Sequence, residues 1–270
     1  MKLIIKKYLL LLLLLLLLLI LTLIKLETKE NFTNIIDIPS NGQEVTTAYV
    51  INLDKRPDRW EGIQKRFYNS SINLKRVSAV EHSNGNIGCA FSFLKIVQMA
   101  KDNNLPSILI FEDDNKPMDN FDLRWKVAKR WLDNNSDKWE IINGGARLYD
   151  WFKYDINTTS SEHEEQTEYI FSLEENVHFF KTEKLLSTNW VYINSNAYDK
   201  VLAWSHKTHG AIDDYLNKTK NFNVLFILPL LGMQVNSFSD TDNRNNNYEI
   251  TDLKITEIYN KILTKFNIFN

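Results

Sequence analysis

Ser107-Ile108-Leu109-Ile110-Phe111-Glu112-Asp113-Asp114 is the stretch on which the reading of this chain turns. Five mostly apolar residues run straight into three carboxylates, the pattern of a buried strand that ends at the rim of a sheet. In open α/β sheets, ligands bind at the carboxyl ends of the strands. Like charges gather there only if something neutralises them, and a hard divalent cation with oxygen ligands does so most simply. In extended backbone Glu112 and Asp114 point one way and Asp113 the other. The stretch therefore predicts a metal site at Glu112 and Asp114 that holds a phosphorylated ligand. A solvated acidic turn capped by Asp114 or Asn115 would use the same residues.

Outward from this strand, apolar runs alternate with helical spacing. Thr47 to Leu53 reads as a first strand, with Ala48-Tyr49-Val50-Ile51 rich in β formers. Asp58 then caps an expected helix to Tyr68, and Lys75 to Val80 is a second strand. Asn84-Gly85-Asn86 reads as a turn before a helix in which Ile87, Ala90, Phe91, Leu94 and Val97 recur at helical spacing to about Asp102. Beyond the acidic stretch come a helix from Asp122 to Asp133 and a strand at Trp139-Glu140-Ile141-Ile142, stopped by Asn143-Gly144-Gly145. A polar surface loop spans Asp150 to Thr167. A strand at Trp190 to Ile193 leads to a helix capped by Ser195, and Val224 to Leu228 is a late strand stopped by Pro229. The asparagine-rich tail from Asp240 ends in a helix around Leu253 to Phe266. Strands alternating with helices, without internal repeat, predict a mainly parallel α/β domain.

The ends and the composition place that domain. Lys2, Lys6 and Lys7 precede a nearly all-leucine run from Tyr8 to Ile24. At helical rise it covers about 25 Å, enough for a thin endomembrane bilayer. Positive charge concentrates on its N-terminal side, which predicts a cytosolic N-terminus and a luminal or external body. No small-residue cleavage site follows the run, so an uncleaved signal anchor reads better than a removed signal peptide. The expected layout is a tail over 1–7, a membrane helix over 8–24, a stem over 25–46, a catalytic domain over 47–240 and a C-terminal tail over 241–270. A formal net charge of -2 gives no basic surface for nucleic acid, so none is expected as a partner. Cys89 is the single cysteine, so no internal disulfide supports the fold. Sequons at Asn31, Asn69, Asn134, Asn157 and Asn217 fit a luminal site, although asparagine is frequent enough here to produce such triplets by chance.

Four blocks stand in a fixed order: Tyr49-Val50-Ile51-Asn52-Leu53-Asp54-Lys55-Arg56-Pro57-Asp58-Arg59, Ile87-Gly88-Cys89-Ala90-Phe91-Ser92, Leu109-Ile110-Phe111-Glu112-Asp113-Asp114, and Trp139-Glu140-Ile141-Ile142-Asn143. With Val191-Tyr192-Ile193-Asn194, Ile212-Asp213-Asp214-Tyr215-Leu216, Leu228-Pro229 and Phe238-Ser239-Asp240, they resemble glycosyltransferase family 25. That family includes lipooligosaccharide and procollagen galactosyltransferases, and the resemblance spans about Thr47 to Asp240. It implies an α/β, GT-A-like nucleotide-sugar-binding fold with a mainly parallel central sheet, here preceded by one N-terminal transmembrane helix. It further implies a nucleotide-sugar donor, usually UDP-galactose, inversion at the anomeric carbon, and a divalent cation, Mn²⁺ or Mg²⁺. The acceptor would be a hydroxyl of a glycan, a lipid-linked saccharide or a protein.

Within that resemblance, Asn52, Arg56 and Arg59 are expected to hold the uridine and diphosphate, since arginine donates two hydrogen bonds at once to phosphate. The same loop would otherwise form a surface ion-pair cluster of Asp54, Arg56, Asp58 and Arg59. Asp113 is placed with the donor-binding residues, and Gly88 and Ser92 at a helix start whose free N–H groups face the donor. A tight packing turn explains Gly88 equally well. Glu112 and Asp114 bind the cation. An inverting transfer needs a base for the acceptor hydroxyl, and Asp213 and Asp214 are the candidates, one as base and one as helix cap, with Asp213 favoured as the base. Cys89 reads as a small packing residue, and His206 and His209 lack a third zinc ligand. Two positions depart from the family pattern: Asn86 stands where Glu is frequent, and Phe93 where His follows the serine. A catalytically inactive member serving as an adhesion or scaffolding module is the alternative.

Overall fold

The computed structural model describes residues 45–145, 147–148, 168–182, 185–218, 220–241, 244–246, 257 and 260–268. The chain divides into two units, Met1–Gln43 and Glu44–Asn270. The first unit, with the expected tail, membrane helix and most of the stem, lies outside the described residues, as does the expected loop over 150–167. Among the described residues no helix is long and apolar enough to cross a membrane.

The strands are β1 (Thr46–Asn52), β2 (Ile72–Ser78), β3 (Ser107–Glu112), β4 (Asn115–Pro117), β5 (Ile141–Asn143), β6 (Arg147–Leu148), β7 (Glu168–Leu173), β8 (Val177–Lys181), β9 (Leu185–Leu186), β10 (Trp190–Asn194), β11 (Val224–Leu228), β12 (Gly232–Gln234), β13 (Ser237–Ser239) and β14 (Arg244–Asn246). The helices are α1 (Pro57–Arg66), α2 (Gly85–Asp102), α3 (Phe121–Asn134), α4 (Tyr198–Leu202), α5 (His206–His209) and α6 (Ile212–Leu216). A 3₁₀ turn at Ser195–Ala197 precedes α4. Residues 260–265 are helical, inside the span expected for the C-terminal helix.

Eight strands form one sheet in the order β2-β1-β3-β10-β5-β11-β8-β7. β1 is parallel to both β2 and β3, and β5 is parallel to β11. β10 runs antiparallel between β3 and β5, and β8 runs antiparallel between β11 and β7. Most strands thus share one direction, as the mainly parallel expectation has it, but β10 and β8 are reversed and the sheet is mixed, which the sequence does not show. The reason is that β10 is buried at every position, Trp190 to Asn194. A strand covered on both faces shows a continuous apolar run whichever way it points.

Packing explains the central order. On one face Trp125 of α3 meets Trp190 at 5.1 Å and Tyr192 at 5.2 Å, both edge-on, while Trp139 stacks on Tyr192 at 5.1 Å. Phe67, at the end of α1, lies 5.2 Å from Phe111. Each aromatic pair adds about 0.5–1.5 kcal/mol beyond its area. These rings need close backbone approach: a Cβ on Gly144 would lie 2.5 Å from the Trp190 ring. Through Phe93, Ile96, Val97 and Ala100, α2 contributes a second buried face.

Helix ends differ from the expected caps. Pro57 opens α1, with Arg56 at the cap position, and Asp58 lies inside the first turn. Proline suits that first position because its fixed φ is already helical and its missing N–H would be unpaired there anyway, and no side chain caps the helix. Asn84 caps α2, its side-chain oxygen accepting from Asn86 and Ile87 N–H. The expected turn at 84–86 is therefore the start of the helix. Ala211 occupies the cap position of α6, so neither Asp213 nor Asp214 takes it.

Candidate active site

The parallel strands β2, β1 and β3 end on the same side, and their carboxyl ends open into a cleft of about 450 Å³. Glu112, Asp113 and Asp114 form one wall, with Arg59 from α1 beside them. The segment Ala79 to His82 after β2 and the first turn of α2 form a second. Leu186 to Thr188 and α6, through Ile212 and Asp213, close the far side, and Gln234 and Ser239 to Thr241 complete the rim.

The three consecutive carboxylates separate, although Asp113 and Asp114 form the turn between β3 and β4 and not the extended strand expected of them. Asp113 accepts from Asn52 Nδ2 at 2.7 Å and from Arg59 Nη1 at 2.6 Å. Glu112 and Asp114 share a different neighbour, Gln234, whose Nε2 lies 3.4 Å from Glu112 Oε2 and 3.3 Å from Asp114 Oδ2. Arg59 also approaches Asp114, at 3.6 Å. Glu112 accepts a hydrogen bond from Thr188 Oγ1 at 2.8 Å, and among the described residues no ion pair reaches it. Burial, with the Asp114, Asp213 and Asp113 charges, lifts its carboxyl from the ordinary 4.5 to about 8 against the opposing Thr188 bond. Burial also raises Asp113, opposed by Arg59.

The acidic turn is held from behind. Arg66, near the end of α1, donates Nε to Asn115 O at 2.7 Å and Nη2 to Asp113 O at 2.8 Å. Val235 N–H bonds Asp114 O at 2.9 Å, and β12 pairs with β4 so that Gln234 stands opposite Asn115. Crowded like charges persist here because their backbone is fixed by bonds that do not involve the carboxylates.

Asp213 faces the cleft from α6, whereas Asp214 does not line it. Burial and the Asp214 charge raise the Asp213 carboxyl, while the N–H groups of Asp214, Ser187 and Asp213 itself oppose that rise. Asn217 locks this corner: its amide bonds Ser187 O and Asp213 O, and its oxygen accepts from Asn143. With 1% of its surface exposed, Asn217 has no room for a glycan, which corrects the expectation drawn from its sequon. Asn69 and Asn134 are exposed, and Asn31 and Asn157 lie outside the described residues.

The loop after β1 departs most from expectation. Asn52 and Arg56 do not line the cleft. Asn52 is buried, its amide donating to Arg56 O and Asp113 and its oxygen accepting from Arg76. Arg56 chelates Asp58 and reaches Asp240 at 2.5 Å. Both side chains are occupied in shaping the loop, so of the three expected phosphate-binding residues only Arg59 presents itself to the cleft. Arg59 also bonds Ser237 Oγ and Phe238 O, while its Nε finds no acceptor among the described residues.

Gly88 lines the cleft, but a Cβ there would meet Val80 O at 2.6 Å, and this supports the packing-turn reading. Ser92 is fully buried, and its hydroxyl bridges Gly88 O to Val80 N–H and so fixes the turn. Cys89 is a free thiol on the cleft wall, pushed well up by burial and by the Glu112, Asp213 and Asp114 charges, and thus stays protonated. His209 is tied to Ser205 and Thr208, which accounts for it structurally. Asn86 lines the cleft, but Phe93 is completely buried in the core. The departure at position 93 therefore replaces a packing contact in this chain, and the one at 86 changes the cleft surface.

Sequence reasoning missed Arg66, Thr188 and Gln234. Arg66 closes an ordinary amphipathic helix, Thr188 follows a two-residue strand, and Gln234 ends a three-residue strand. None carries a period or motif.

Among solved structures, the chain is similar to a glycosyltransferase involved in the glycosylation of the major capsid of PBCV-1, at TM-score 0.33 and 10% identity over 61% of this chain and 67% of that one. It is also similar to the inositol-1-phosphate CTP transferase of T. maritima, at TM-score 0.36 and 12% identity over 82% and 97%. Apo UDP-glucose pyrophosphorylase gives TM-score 0.34 and 11% identity over 82% of each chain. Scores of this size leave the fold to be judged from its own strand order. No curated protein sequence matches the chain. The profile of glycosyltransferase family 25 (LPS biosynthesis protein) does match, over residues 81–216. That span is half of the chain and runs from the wall after β2 to the end of α6, taking in Glu112, Asp114 and Asp213: the chain belongs to glycosyltransferase family 25.

Proposed function

We propose that this protein is a membrane-anchored transferase that moves a sugar, in the first instance galactose from UDP-galactose with inversion, onto a hydroxyl acceptor. The observation that carries the reading is the convergence of Glu112, Asp114 and Asp213 on one cleft at the strand ends, with the Glu112 carboxyl lifted to about 8. Buried carboxylates that raise one another are the arrangement a divalent cation relieves, and the donors are hard oxygens suited to Mn²⁺ or Mg²⁺. Glu112 and Asp114 would hold it, and when bound it supplies positive charge to the diphosphate as that group leaves.

The chain's own groups account for the rest. Arg59 stands beside the acidic turn, and its guanidinium suits an anionic donor. Asp213 takes the proton of the acceptor hydroxyl at its carboxylate. The raised pKa makes it a stronger base than an exposed aspartate, and the Asp214 and Ser187 N–H groups keep it oriented. The anchor at 8–24 would place the domain in the secretory lumen, or across the equivalent membrane in a viral or bacterial setting. The acceptor is a glycan, a lipid-linked saccharide or a protein hydroxyl.

The test is product analysis by NMR with UDP-galactose, Mn²⁺ and a panel of saccharide and hydroxylysine acceptors. A new β-linked galactoside, absent with Asp213→Asn, is the expected result. Turnover of no UDP-sugar by a folded protein that also fails to bind UDP would favour the scaffolding role.

A further inference from the structure

We propose that Gln234 is a two-position residue of the cation site. Its amide N–H₂ bridges Glu112 and Asp114 in the cation-free protein, and its amide oxygen turns toward the cation when one is bound. This rests on the reading that Glu112 and Asp114 hold a divalent cation.

The geometry is unusual for an amide. Gln234 Nε2 lies 3.4 Å from Glu112 Oε2 and 3.4 and 3.3 Å from the two oxygens of Asp114. An amide nitrogen has two hydrogens, and here it faces three carboxylate oxygens, none at a short distance. The nitrogen thus sits between the two carboxylates, where a cation serving both would sit. Its backbone is fixed: Gln234 pairs with Asn115 across β12 and β4, and the next residue bonds Asp114 O at 2.9 Å. Rotation about the last side-chain torsion exchanges nitrogen for oxygen without moving the main chain, and that torsion is broad and soft.

The choice of residue also has a chemical reason. Among the described residues no third His, Cys, Asp or Glu joins the pair in a metal-binding group. The side chain that touches both carboxylates is neutral, and its carbonyl is a hard oxygen donor of the type Mg²⁺ and Mn²⁺ accept. Two carboxylates balance a dication; a third would leave net negative charge facing the donor diphosphate. Glutamine therefore adds a ligand without repelling the substrate.

The test is titration of Mn²⁺ into the full-length protein, followed by calorimetry and by the loss of free-Mn²⁺ EPR signal, for wild type, Q234M, Q234E and D114A. The proposal expects Q234M to weaken Mn²⁺ binding about tenfold or more. It expects Q234E to bind Mn²⁺ more tightly than wild type yet to bind UDP more weakly in its presence. Q234E has nearly the shape of the native residue and keeps the test open should Q234M not fold. Unchanged Mn²⁺ affinity in Q234M, with binding lost in D114A, overturns the role of Gln234 and leaves the cation site standing. Wild type that binds neither Mn²⁺ nor Mg²⁺ overturns both.

Discussion

Two charged segments flank the cleft, the loop after β1 and the turn after β3, and they have been settled in opposite ways. In the first, Asp54 pairs with Arg76, and Arg56 with Asp58 and Asp240. In the second, Glu112 has a hydroxyl and an amide for neighbours, and its carboxyl rises to about 8. Both segments look equally functional as text, with five charges from Asp54 to Arg59 in one and three in the other. The difference lies at Glu112: Arg59 reaches Asp113 and Asp114, but among the described residues no cation pairs with Glu112. Paired charges are architecture, and the carboxylate left without a cationic partner is where the proposed external cation would act.

The comparison breaks most readily at Asp213. Asp213→Asn should lower kcat by about 10²–10⁴-fold, the usual range for losing a general base, while UDP affinity stays unchanged. Equal losses of turnover and UDP binding would show that the residue serves the donor. Next in size is Asp114→Ala, which should cost several kcal/mol of transition-state stabilisation, or about 10²–10³-fold in kcat/KM, and remove the Mn²⁺ dependence of UDP binding. Residual Mn²⁺-dependent binding in this variant would transfer the role to another group.

A pH series sharpens the same contrast. Because the folded Glu112 carboxyl lies near 8 and the unfolded one near 4.5, the folded state holds an extra proton between those values. Its stabilising effect is complete below about 4.5 and is lost as pH rises through 8. Without divalent cations, Tm should fall by several degrees from pH 5 to pH 8.5. Glu112→Gln should flatten that slope, as should saturating Mn²⁺, and a slope equally steep in Glu112→Gln would place the proton elsewhere. The smallest effect is expected at Arg56. Arg56→Ala removes ion pairs that are partly exposed, so a loss of about 1 kcal/mol with unchanged UDP affinity should follow in denaturant titration. A large loss of UDP affinity would make the loop after β1 a phosphate site after all.

The parts of this account that were legible in the sequence are those with a local pattern. β1, β3, β11 and α2 fall close to their expected spans, because apolar runs and helical spacing report burial directly. The acidic end of β3 and the presence of Asp213 in the cleft followed from strand-end logic and from ordered blocks. Strand direction did not, since β10 is equally apolar read either way. The β7–β8 hairpin also escaped, although Glu175 and Asn176 take positive φ of 59° and 54° at its turn, and asparagine there is a usable turn signal. The internal partners of Arg56 and Asn52 could not be read from sequence, because Asp240 and Asp113 lie 184 and 61 positions away. Gln234 was invisible for the same reason: its meaning comes from the register of a three-residue strand against Asn115.

The central claim is that the turn after β3 is completed by a divalent cation and a nucleotide, and calorimetric titration of UDP into the full-length protein tests it most directly. With Mn²⁺ present the account predicts saturable 1:1 binding. Binding should be lost on chelation and in Asp114→Ala, yet kept in Arg56→Ala. UDP binding of equal strength with and without divalent cations, or no binding to a protein that melts cooperatively, would contradict it.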